Sequence, residues 1–349
     1  MLIYFILLFF LLCFVVIENM NIEILPVFKF LVVAILISIS GFRYEIGSDY
    51  HNYVFLFDHP DDYPLLEYGF KYLVLFIKFM GGSVQHLFLF TSALTILLLA
   101  YTINKYNGRF FFTALSVYVI SFVYFESMNT VRQAIAMSFM CYAVCSYFYN
   151  RRLILFMLFV VLSSLFHSSA VLIGVLSFFL LKFTYENKGL YPYSILLLLS
   201  FVLGHSINMF FSLLTEVSSL LGYAQYMDNF EQRGVETGLY QYILNGYAFL
   251  FIAFAHNNKL HFTKFDFFVL RMFLISIILY NTFIEFYIGL RFYWYFFIYL
   301  MFFVPVFLKR FRTNQRNLIF IFLMSPIFVF TVISLSSIKY SPYHYTFNF

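Results

Sequence analysis

Arg132 lies one turn into the apolar stretch 128–149, with Asn129 three residues before it, Gln133 beside it and the small Ala136 one turn on. A guanidinium stays protonated whatever its surroundings. Placing one inside a membrane costs roughly 2.5–3.5 kcal/mol on insertion scales. Its planar fork suits two oxygens of a phosphate, and the first turn of a helix adds free N–H groups and partial positive charge. Asn129, Arg132, Gln133 and Ala136 share one helix face, which favours a polar cavity for an anionic group. The plainer alternative is that Arg132 snorkels to the membrane surface or pairs with Glu126.

Other residues carry comparable chemistry. Arg43 and Asp49 could be a phosphate ligand and a catalytic or orienting carboxylate; equally, they could be an ion pair anchoring a loop that turns at Gly47. Glu67 follows in Glu67-Tyr68-Gly69-Phe70. His167, flanked by Ser168 and Ser169, could contact a phosphate or carry a proton, or simply satisfy helix-end carbonyls. Arg291 follows Glu285 and Tyr287, and either pairs with Glu285 or adds a second cation to the same cavity. Loop 215–239, with Arg233 in a run of aromatic and polar residues, suits carbohydrate stacking or a mobile lid, and equally a plain surface loop. Neither a glycine-rich nucleotide loop, nor HExxH, nor a nucleophile elbow is present, so nucleotide-driven transport and zinc hydrolysis have no support. Cys13, Cys141 and Cys145 all sit in apolar stretches and read as packing residues.

The elements that must position these side chains are membrane helices. Of 349 residues, 63% are hydrophobic and only 11% charged, against about 25% charged in soluble domains; mean hydropathy is +0.88. Apolar runs of spanning length fall at 1–17, 24–40, 84–103, 110–125, 128–149, 192–214, 240–256, 267–284, 290–308 and 317–336. The first reads as a retained span, because it lacks a basic start and a small-residue cleavage site. The stretch 152–183 is too long for one span and splits at Phe166-His167-Ser168-Ser169 into two short helices, each covering about 22 Å. Segment 65–80 reads as a re-entrant or interfacial half-helix, because a crossing there would put the acidic loop 41–64 and the basic connection 104–109 on the wrong sides. The expectation is therefore an all-α polytopic bundle of about twelve spans in a single transmembrane domain, 1–349.

Charge then orients the bundle. Lys105, Arg109, Arg151, Arg152, Lys182, Lys188, Lys259, Lys264, Lys309, Arg310, Arg312 and Arg316 gather on one face, with only Glu18, Glu23, Glu186 and Asp266 as loop acids, and the positive-inside rule makes it cytoplasmic. The opposite face receives the acids of loops 41–64 and 215–239 together with Arg43, Arg132, His167, Arg233, Arg291 and the terminal Pro342-Tyr343. The net charge of +5 follows this membrane pattern and does not point to nucleic acid.

Taken in order, Arg43-x3-Gly47-x-Asp49-Tyr50-x2-Tyr53, Glu67-x-Gly69-Phe70, Asn129-x2-Arg132-Gln133-x-Ile135-Ala136, Phe166-His167-x-Ser169-Ala170 and Pro342-Tyr343 resemble the EpsG-like branch of the Wzy polysaccharide polymerases. The family usually has Pro where this chain has Tyr68. The resemblance implies a GT-C-like glycosyltransferase of the bacterial inner membrane. It would join undecaprenyl-pyrophosphate-linked oligosaccharide repeat units at the periplasmic face, with no cofactor and no essential metal. A chain-length regulator and a flippase of the same pathway are the implied partners. In that setting Arg132 and Arg291, with Arg43, hold the pyrophosphate, and Gln133, Asn129 and His167 add hydrogen bonds. Arg233 and Tyr343 are further candidates to bind the pyrophosphate or the glycan, while Asp49, then His167, then Glu67, are candidates to handle the acceptor hydroxyl. A flippase would more typically show two homologous halves; a membrane acyltransferase would use His167 as base but needs an acyl-donor entrance that the short basic-side loops do not provide.

Overall fold

Helix boundaries in this chain follow its punctuation. Pro26 opens α2 (Pro26–Gly41), where its missing N–H goes unmissed. Ser83 and His86 form a capping box at the start of α5 (Val84–Asn107), and Thr263 and Asp266 do the same for α13 (Lys264–Thr282). The computed structural model describes residues 2–21, 24–186, 189–218, 238–257, 262–284, 287–336 and 346–347. They are almost wholly helical, as the composition led us to expect. The other helices are α1 (Leu2–Asn19), α3 (Tyr50–Asp58), α4 (Tyr68–Phe79), α6 (Phe111–Ile120), α7 (Val123–Asn129), α8 (Val131–Asn150), α9 (Leu153–Ser164), α10 (Ala170–Glu186), α11 (Tyr191–Ser218), α12 (Leu239–Asn257), α14 (Tyr287–Phe297), α15 (Leu300–Leu308) and α16 (Thr313–Ser336). Two-residue strands β1 (Arg43–Tyr44) and β2 (Thr346–Phe347) pair antiparallel.

Five helical stretches among the described residues are long and apolar enough to cross a membrane: Leu2–Asn19, Val84–Ile120, Lys264–Thr282, Gly289–Leu308 and Thr313–Ser336. Shorter apolar helices occupy Pro26–Gly41, Leu153–Ser164, Ala170–Lys182 and Tyr191–Gly204. The split of 152–183 falls where Phe166-His167-Ser168-Ser169 predicts it, between α9 and α10. Apolar run 110–125 behaves differently: it breaks at Ser121-Phe122, because Phe122 adopts a left-handed φ of 69°.

The chain forms two compact units, residues 1–178 with 304–349, and residues 179–303. In the first, α8 is the central element, buried nearly all round from Val131 to Val144 and packed on α5 and α9. Glu18, at the end of α1, accepts from the first backbone amides of α6, Phe112 N at 3.0 Å and Thr113 N at 2.8 Å. That carboxylate satisfies donors a helix start leaves open. Helix α4 has 12 residues, about 18 Å, too short to span a hydrocarbon core of about 30 Å. It buries Phe70, Val74 and Ile77 on one side and exposes Tyr68, Tyr72, Phe76 and Phe79 on the other. Lys78 Nζ donates to the Phe57 and Asp58 carbonyls, at 3.2 and 3.0 Å, and Lys71 pairs with Asp61 at 2.7 Å, so α4 is strapped to the end of α3.

In the second unit, α11, α12 and α13 are cross-linked by a buried amide cluster. Asn245 and Asn281 exchange a reciprocal pair of hydrogen bonds of 2.9 Å. Gln241 donates to Asn281 at 3.1 Å, and Asn281 donates to Ser200 at 3.2 Å. A satisfied network of this kind sets the register of the helices it joins.

Candidate functional site

Helix α8 begins where it does because α7 closes on Thr130. The Thr130 amide and hydroxyl both donate to Glu126 O, at 2.9 and 3.0 Å, and Ala134 N then takes Thr130 O at 2.8 Å. The break puts Arg132 in the first turn of α8, where backbone N–H groups have no intrahelical partner. Across from it, the chain enters α4 through Glu67, extended at φ −61°, ψ 135°. The turn between α9 and α10 is pinned from below: His167 N donates to Ser163 O at 3.1 Å, and the Ser163 hydroxyl donates to Ala136 O of α8 at 2.7 Å.

Gly69 brings α4 and this turn into contact. Its amide donates to Leu165 O at 2.9 Å, and a Cβ on it would stand 2.7 Å from that oxygen. Only glycine tolerates such an approach. With α4 held there, the Glu67 carboxylate gathers three donors. Oε2 accepts from Arg132 Nη1 at 2.5 Å. Oε1 meets His167 Nδ1 at 3.2 Å and accepts from Ser168 N at 3.2 Å. The side chains of Glu67, His167 and Arg132 are 11%, 13% and 30% exposed.

Burial alone would raise the Glu67 pKa. The His167 hydrogen bond and the Arg132 charge outweigh it and hold the carboxyl down to about 2. Glu67 is therefore ionised and accepts only, so Nδ1 of His167 must be the donor. Nε2 is left as the nitrogen able to take a proton when the ring is neutral. Tyr53 of α3, 6% exposed, hydrogen-bonds Arg132 from a third element. The guanidinium, a five-donor group, is thus braced from α3 and α4 while nearly a third of its side chain stays open.

Of the remaining expected site residues, Asp49 and Gln133 stay near the cluster: the Asp49 charge acts on Tyr53, and Gln133 follows Arg132 in α8. Asn129, 5% exposed, accepts from Ser48 N at 2.9 Å. It sits against Gly47, whose φ of +98° and whose clearance of 2.5 Å from a built Cβ to Asn129 Oδ1 both require glycine. Asn129, the last residue of α7, therefore holds the first loop onto the end of that helix. Asp49 stands at the cap of α3, where its carbonyl accepts from Tyr53 N at 3.0 Å. Gln133 is 2% exposed beside Arg132. Arg43, 1% exposed, donates to Ser40 O at 3.1 Å and stacks 4.2 Å from the centre of the Phe88 ring. It lines a water-sized cavity with Ser40, Thr91, Ser92, Thr95 and Ser127. Arg291 lies in α14 of the second unit. Arg233, Tyr343 and most of loop 215–239 lie outside the described residues, as does Glu285.

Three partners of the cluster were not visible as such in the sequence. Leu165 O and Ser168 N are backbone atoms, which residue types do not announce; the signal was the glycine two positions after Glu67. Tyr53 stood in the first motif without a role. Among the described residues no group of three or more His, Cys, Asp or Glu is placed to hold a metal ion.

These features define a helical membrane protein with a carboxylate that joins an arginine and a histidine where three helix termini meet. The EpsG family model matches residues 26–347, and the chain belongs to the EpsG family. Membership suggests a membrane protein of the polysaccharide-polymerase type. No curated protein matches the chain, and no solved structure does.

Proposed function

We propose that this protein is a glycosyltransferase that polymerises undecaprenyl-pyrophosphate-linked repeat units into surface polysaccharide. It would act at the periplasmic or outer face of the bacterial inner membrane, within a GT-C-like bundle of about twelve spans. The observation that carries the reading is the Glu67 bridge between Arg132 and His167. Transfer needs two things at one place: a fixed cation for a departing pyrophosphate, and a base for an acceptor hydroxyl.

In this scheme the acceptor oxygen bonds to the anomeric carbon of the donor sugar. The bond from that carbon to the pyrophosphate breaks, and the lipid pyrophosphate leaves with the electron pair. The hydroxyl proton passes to His167 Nε2. Ionised Glu67 fixes the imidazole and steadies its charged form. A carboxyl held near a pKa of about 2 is a weak base, so Glu67 orients and His167 accepts. The open side of Arg132 faces the pyrophosphate. The buried Arg43 instead supports the loop around the site, while Asp49, Gln133 and Arg291 remain further candidates for substrate contacts.

The test is the glycan ladder of a strain lacking the gene. A polymerase leaves surface glycan capped with a single repeat unit, and re-expression of the parent restores the ladder. An intact ladder would sink the proposal, as would near-complete loss of surface glycan, which marks a flippase. Re-expressed Arg132→Lys keeps the charge but loses the fork, and should restore less than a tenth of the polymer. Full restoration would exclude bidentate pyrophosphate holding.

A further inference from the structure

Helix α5 has 24 residues, about 36 Å, so the residues after Asn107 lie on the face opposite the Glu67 cluster. A second polar constellation stands there that glycan transfer does not use. Arg109, in the turn Gly108–Phe110, donates from Nη2 to Asn21 Oδ1 at 3.0 Å. Arg316, in the first turn of α16, donates from Nη1 to the same oxygen at 3.2 Å. Both guanidiniums rest against one ring, 5.8 and 5.7 Å from the centre of Phe110. Arg316 is only 9% exposed, and its Nε donates to Phe311 O at 3.2 Å. Asn21 itself takes a left-handed φ of 60° and donates to Thr313 Oγ1 at 3.3 Å. Lys29 holds the turn that carries Arg109, through Asn104 Oδ1 at 2.8 Å and Gly108 O at 3.3 Å.

Two permanent cations therefore converge on one neutral amide oxygen. Like charges this close repel, and among the described residues neither arginine pairs with a carboxylate. An anion with several oxygens would relieve the repulsion, and a phosphate matches two guanidinium forks at once. We infer that Arg109 and Arg316 form a binding site for the phosphate of an anionic lipid headgroup in the leaflet on this face. The setting suits a lipid: the site lies where spans α1, α5 and α16 end, and basic pockets between spans take anionic headgroups there. Free phosphate offers the same oxygens, and Glu23, two residues beyond Asn21 and outside the described residues, offers a carboxylate. Both belong in the test.

The full-length protein is purified in detergent, delipidated and melted with phosphatidylglycerol, phosphatidylcholine or inorganic phosphate. Phosphatidylglycerol should raise the melting temperature, and the other two should not match it at equal concentration. Arg316→Gln should weaken the apparent lipid affinity at least tenfold. Asn21→Asp places the missing charge between the arginines. It should stabilise the lipid-free protein and remove most of the response, which keeps the idea testable if Arg316→Gln folds poorly. Equal responses to the two lipids, or an Asn21→Asp protein that still responds fully, would overturn the site. Free phosphate acting as strongly as the lipid would overturn the lipid assignment. Glu23→Gln should leave the lipid response as in the parent; a markedly larger response would make Glu23 the resident counter-ion instead.

Discussion

Glu67 accepts from Arg132 through one oxygen and from His167 and Ser168 through the other, so removing its charge loosens three donors in one step. Its pKa falls from 4.5 free to about 2 folded. The sign follows from proton linkage: a depressed folded pKa adds stability that is complete above about 4.5 and is lost as pH falls from there towards 2. Glu67→Gln should melt lower than the parent at neutral pH and show a flatter decline across that acid window. Thermal melts of both proteins in detergent check this; parallel curves would mean the carboxylate is not charge-coupled in the fold. At this scale the sequence was partly legible. Arg132 stood out because charge in an apolar run is costly, and Glu67 and His167 because they were polar beside it. Which carboxylate serves Arg132 was not legible, since Glu126 is near in sequence and Glu67 is 65 positions away.

The elements meet through glycines and short breaks rather than through long helix faces. Gly69→Ala should push a methyl group into Leu165 O, separating α4 from the α9–α10 turn at a cost of about 1–3 kcal/mol. We expect a lower melting temperature together with loss of polymer in the complementation assay. Normal polymer from a stable Gly69→Ala protein would mean the joint does not position Glu67. The break at Phe166-His167-Ser168-Ser169 was readable in advance from its polar residues; the one at Thr130, inside the run 128–149, was not. The break at Phe122 was not, because a left-handed phenylalanine carries no local signal and is imposed by packing. For the same reason α3 went unseen: its apolar residues face Phe70 and Phe88 of other elements and form no long periodic run.

For the whole molecule, the asymmetry of basic residues gives one orientation to test. In a background with Cys13, Cys141 and Cys145 replaced, His59→Cys should react with a membrane-impermeant maleimide on intact cells. Arg312→Cys should react only after the cells are broken; both positions are exposed. Labelling of Arg312→Cys alone would invert the bundle and move the Glu67 cluster to the cytoplasm. The helical membrane class could be read from composition alone. The division into two units could not, since no linker of distinct composition marks residues 178–179 or 303–304.

The pairing of β1 with β2 sets a rule of parity. Arg43 faces Phe347 and Tyr44 faces Thr346, so the segment just beyond α2 and the segment at 346–347 share one side of the bilayer. The chain between them must therefore make an even number of membrane passages. In the proposed membrane bundle, a count of spans that leaves an odd number between residues 44 and 346 would conflict with these two short strands.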